Sequence, residues 1–129
     1  MTARAIKERS LAIRMSIEKT MQRVERLVDN ETAALRARTA IDLKASNNGK
    51  SQALLEFSLA IRSLEGRPLD ADLVQRLGVL RKKLETNRAV LHMHLEAVRE
   101  IADVVAGTIQ DCEWDGTYSQ YASPAGIGR

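Results

Sequence analysis

At 129 residues, 44% hydrophobic but only 3% aromatic, the chain has enough aliphatic surface for one core without metal or disulfide staples. Ala, Leu, Arg, Glu and Lys dominate, a composition that suits long helices and disfavours sheets. The single cysteine, Cys112, excludes an internal disulfide and a thiolate zinc site, which points to a reducing compartment.

The net charge of +3 is unevenly placed. Residues 1–64 hold 12 Lys+Arg against 7 Asp+Glu, residues 65–112 hold 7 against 8, and residues 113–129 hold 1 against 2. Acids alternate with the bases and no aromatic platform accompanies them, so a solvated basic face is expected rather than a nucleic-acid surface. Charged residues recur too often for a signal peptide in the first twenty residues or a membrane span elsewhere. The expectation is a cytoplasmic protein with no membrane insertion.

Residues 3–45 lack Gly and Pro, and Ile13, Ile17, Val24, Leu27, Val28, Leu35 and Ile41 recur at helical spacing, predicting one long amphipathic helix. Ser46, Asn47, Asn48 and Gly49 then favour a turn or a kink. Leu54, Leu55, Leu59 and Ile61 resume the pattern over a second helix, residues 50–64. Gly66 and Pro68 stop it and reverse the chain. Asp70 is a suitable N-cap for the third helix, and Leu69 with Val74 a possible hydrophobic staple.

The third helix, residues 70–112, carries the clearest pattern. Leu73, Leu77, Leu80, Leu84, Asn87, Leu91, His94, Val98, Ile101, Val105, Thr108 and Cys112 alternate in steps of four and three, a coiled-coil stripe on a helix about 64 Å long at 1.5 Å per residue. The fold expected is all-α, an elongated antiparallel helical hairpin or three-helix coiled-coil-like bundle over residues 1–112. Antiparallel pairing would carry Cys112 to about Gln22. Residues 113–129 contain three of the seven glycines and no helical period, and are expected to form a flexible C-terminal tail.

Nothing in this pattern resembles catalytic machinery. There is no phosphate loop, no nucleophile elbow and no Glu-x-x-His pair, so no enzyme, no cofactor and no metal are expected. His92 and Glu96 share a helix face but make a poor metal site. Asn87 and His94 sit in the seam, where polar residues fix register. Cys112 lacks a basic neighbour to activate its thiol. The informative feature is a second apolar row beside the seam, Val90, Met93, Ala97 and Val104, which needs a further helix, a second subunit or a partner.

The stretch Leu27-x-x-x-Glu31-x-x-x-Leu35, continuing through Asp42-Leu43 and Lys50 to Leu54-Leu55, resembles the N-terminal pattern of FlgN-type flagellar export chaperones. A helical hairpin and a tyrosine-bearing, glycine-containing tail extend the resemblance over roughly residues 20–121. It implies a protein that keeps hook–filament junction proteins unpolymerised and brings them to the flagellar export gate. In that setting Val90, Met93, Ala97 and Val104 are expected to bind the client. Trp114, Tyr118 and Tyr121, three of the four aromatics, are expected to dock on the export gate. The competing expectations are a self-associating coiled-coil protein, with the second row forming a homodimer, and a basic nucleic-acid-binding helix.

Overall fold

A computed structural model describes residues 2–114, with side chains through Cys112. These residues form three helices, α1 (Ala3–Arg36), α2 (Leu43–Arg62) and α3 (Ala71–Trp114). The expected all-α fold is thus observed, as three helices rather than a two-helix hairpin. The expected tail, Tyr118 and Tyr121 included, lies outside the described residues.

Each helix begins at a side-chain cap. Thr2 Oγ1 accepts from the Ala5 N–H at 3.1 Å, Asp42 Oδ1 from Ala45 at 3.0 Å, and Asp70 Oδ1 from Leu73 at 2.9 Å. Each bond satisfies one of the N–H groups that a helix start leaves unpaired. α2 ends before Glu65 and Gly66, both at positive φ, so the reversal at Gly66 and Pro68 falls where it was expected.

The first interruption falls elsewhere. It spans residues 37–42, between the end of α1 at Arg36 and the start of α2 at Leu43, not Ser46–Gly49, all four of which are helical. The Arg38 N–H donates to Leu35 O at 3.2 Å and the Thr39 N–H to Ala34 O at 3.0 Å, with Arg38 at φ 55. This is a Schellman termination with arginine in the left-handed position that glycine usually holds. Ser46 stays helical with its hydroxyl bonded to Glu31, and a Cβ at Gly49 would lie 4.0 Å from Leu27 Cδ1.

The core is built from Ile17, Met21, Val24, Val28 and Leu35 of α1, Ala53 and Ala60 of α2, and Leu73 and Leu80 of α3. Small residues on α2 bring it close to α1. Leu73 and Leu80 bring α3 into the same core, and Asn87 bonds to Glu31 and Thr32 of α1. α2 runs antiparallel to α1, with Arg23 beside Glu56 and Glu31 beside Ser46 and Lys50.

α3 runs parallel to α1, which corrects the expected antiparallel register. Arg14 meets Asp70, Lys83 meets Glu25 and Asp29, and Asn87 meets Glu31, with partners 54 to 58 residues apart. At that offset α1 runs out opposite about Leu91. The chain divides there into two compact units, Met1–Leu91 and one beginning at His92. The seam follows the same division, with Leu73, Leu80 and Asn87 buried whereas Val98, Ile101 and Val105 are exposed. Leu69 packs against the core, but Val74 is exposed, so the expected staple does not close.

Candidate functional site

Within the first unit the polar groups are consumed by holding helices together. Glu31 and Asn87 are 2% and 4% exposed. The Glu31 carboxylate accepts from Lys50 Nζ at 2.7 Å, from Asn87 Nδ2 at 3.1 Å and from the Ser46 hydroxyl. Asn87 Nδ2 also donates to Thr32 Oγ1 at 3.0 Å, and Asn87 Oδ1 accepts from Lys50 at 3.1 Å. One node therefore spans all three helices with its polar groups mutually satisfied. Burial pushes the Glu31 carboxyl up, but the bonds from Lys50, Ser46 and Asn87 together bring it below the ordinary value. Charged Glu31 is the form that fits this site.

Two further clusters flank the bundle. Asp70 Oδ2 accepts from Arg14 Nε at 2.7 Å, and this bond above all lowers the Asp70 carboxyl while raising the Arg14 guanidinium. Lys83 bonds to Asp29 at 2.8 Å and Glu25 at 3.2 Å, which raises its ammonium pKa, Asp29 contributing most. Several bases of the first half are thus committed to acids of the same chain. Beside α2 and α3 lies an open groove of about 360 Å³, lined by Phe57, Leu77, Leu80 and Leu84 with Arg81, Glu85 and Arg88 at its edge.

The second unit is different in kind. Met93 is 70% exposed, Val104 67% and Ile101 64%, and Leu95, Val98, Val105 and Ile109 are also exposed. Of the four residues expected to bind a client, Met93, Ala97 and Val104 are exposed and Val90 half-buried. All lie on α3 at steps of three, four and seven, hence on neighbouring rows of one helix. The Trp114 side chain, Tyr118 and Tyr121 lie outside the described residues. The half-buried Cys112 and the exposed His92 and Glu96 belong to no metal-binding cluster, and none with three or more His, Cys, Asp or Glu occurs among the described residues.

Sequence patterning missed a third apolar row, Leu95, Ala102 and Ile109, on the opposite side of the seam. Its signal was present, since the positions flanking the seam change from Arg81, Lys83 and Arg88 to apolar residues beyond that point. This portion of α3 is apolar on both flanks of its seam, the mark of a helix covered from two sides.

Among the described residues, no helix is long and apolar enough to cross a membrane. The chain is an all-α protein with a polar-locked bundle and an exposed apolar helical segment. No family model, no curated protein and no solved structure matches it.

Proposed function

We propose that this protein is a non-enzymatic helix-binding protein, which covers an amphipathic helix of a partner with the row Val90, Met93, Ala97 and Val104. The observation that carries this reading is the exposure of Met93 and Val104 on a helix whose flanks are apolar. Isolated exposed apolar residues are ordinary, but a continuous row of them marks an interaction surface. An amphipathic helix suits it because anchors at i, i+3, i+4 and i+7 match such a row. Methionine adapts its packing to more than one helix.

The resemblance through Leu27, Glu31, Leu35, Asp42 and Lys50 supports a narrower form of the proposal. The client would then be a hook–filament junction protein, held unpolymerised in the cytoplasm and handed to the flagellar export gate. This narrower form rests on that pattern alone.

The test is titration with a labelled peptide carrying the terminal amphipathic helix of a junction protein. M93E/V104E should lose binding at least ~30-fold, as expected when apolar anchors give way to charges, while keeping the wild-type melting temperature. If the double variant unfolds, the row is core and the proposal fails. If it binds normally, the client site lies elsewhere. A wild-type protein that ignores junction-protein helices but binds other amphipathic helices through this row would remove the flagellar form alone.

A further inference from the structure

Within the second unit the surface of α3 is divided by chemistry. Apolar positions from Met93 round to Leu95 take up most of the helix circumference, and the remainder carries a narrow stripe of acids. Glu96, Glu100, Asp103 and Asp111 form that stripe at steps of four, three and eight, so they line up along one edge of the helix. Gly107 stands between Asp103 and Asp111, and a Cβ there would meet nothing within 4 Å. Residues 92–112 contain these four acids against the single base Arg99.

The stripe borders the client row. Glu96 lies three residues beyond Met93, Glu100 seven beyond Met93 and four before Val104, and Asp111 seven beyond Val104. The other border of the row is the uncharged seam at Ile101 and Val105. All four acids are exposed and make no ion pair among the described residues. Even Arg99, three residues from Glu96 and four from Asp103, pairs with neither. Exposed acids of the first unit are treated differently, Glu8 pairing with Arg4, Glu65 with Arg9 and Glu85 with Arg81. Like charges three and four residues apart repel along a helix, so a partner that brings cations to this edge gains more than the burial of apolar area.

We propose that the client helix carries lysines or arginines along one border of its apolar row, which meet Glu96, Glu100, Asp103 and Asp111 while the row itself covers Met93, Ala97 and Val104. This rests on the reading of that row as a helix-binding surface and adds the chemistry of its partner. Local and total charge make opposite demands here. The chain's net charge of +3 favours an acid-bordered helix, whereas the stripe favours a base-bordered one. At ~0.15 M salt the screening length is about 8 Å, so the adjacent stripe decides and the distant excess of bases does not.

Three designed peptides separate these demands. They share their length and their leucine anchors at i, i+3, i+4 and i+7, and differ only in border residues, which are Lys, Gln or Glu. Titrated into the full chain at ~0.15 M NaCl and followed by fluorescence anisotropy, the Lys-bordered peptide should bind at least ~10-fold more tightly than the Glu-bordered one. The Gln-bordered peptide should fall between them, and the difference should shrink as salt rises. E96K/E100K should reverse the order. E96Q/E100Q should narrow it, and keeps the test decisive if charge reversal perturbs the helix. E8K/E65K makes the same change in net charge away from the stripe and should keep the wild-type order. Equal affinity of the wild type for the Lys- and Glu-bordered peptides would overturn the proposal while leaving the row a helix-binding surface. Failure to bind any of the three would overturn both. A change of preference in E8K/E65K as large as in E96K/E100K would also overturn it, because total charge would then govern. So would self-association of the wild type that E96K/E100K abolishes, since the occupant would then be a second copy.

Discussion

Glu31 shows how one residue can set the register of a bundle. Its carboxylate is buried, yet each neighbouring donor comes from α2 or α3, so sliding either helix would leave a charge without partners. Replacing it by Ala strands the Lys50 ammonium, which is held in a largely covered site. E31A should therefore lower unfolding free energy by about 3–5 kcal/mol in urea titrations. Exchanging the whole node for apolar residues, E31L/K50M/N87L, should cost little or stabilise the fold, because no charge is then left buried. Acid acts on the same group. The carboxyls of Glu31, Asp70 and Glu56 are all held below their ordinary values. Their contribution is complete above the unfolded-state pKa, about 4.3 for Glu, and is lost as pH falls through the lower folded-state values. Melting temperature should be flat from neutrality to about pH 5 and fall below about pH 4, less steeply in E31Q.

Among the elements, the α1–α2 pair depends on small side chains. Ala53 is fully buried and Ala60 nearly so, and A53L should cost about 1–3 kcal/mol by overpacking. The break between these helices makes the opposite prediction. Arg38 holds a left-handed conformation at φ 55, so R38G should stabilise the protein by about 1 kcal/mol, read as a rise in urea midpoint. That same arginine explains what was legible in the sequence. Gly66, Pro68 and Asp70 use the residue types their positions favour, and the boundary of α3 could be read from them. The end of α1 could not, because Arg38 stands where glycine would have announced it. Ser46–Gly49 misled in the converse way, since Ser46 is held in helix by its bond to Glu31, a contact that exists only after folding.

At the level of the whole molecule, the heptad stripe of α3 is continuous in sequence but buried at Leu73, Leu80 and Asn87 and exposed at Val98, Ile101 and Val105. Periodicity records which face is apolar and does not say where burial stops, which explains why the extent of the exposed stretch was harder to read than its residues. Met93 and Val104 were legible as an apolar row, and the structure shows them exposed. The two-sided character added by Leu95, Ala102 and Ile109 emerges only once burial separates the two stretches of the helix. Amide hydrogen exchange should report the same division. Protection should be high around Val24, Val28 and Leu80, and low from about Val98 onward in dilute, partner-free protein.

The parallel pairing of α1 with α3 also has a consequence for the order of folding. α1 and α2 meet through contacts spanning 15 to 33 residues, whereas α1 and α3 meet only across 54 to 58. Shorter closures cost less entropy and form sooner. The α1–α2 hairpin should thus be present at the rate-limiting barrier, with α3 docking after it. In stopped-flow measurements A53G should mainly slow refolding, whereas L80A should mainly speed unfolding. α3 would then be the last helix to dock and the first to let go.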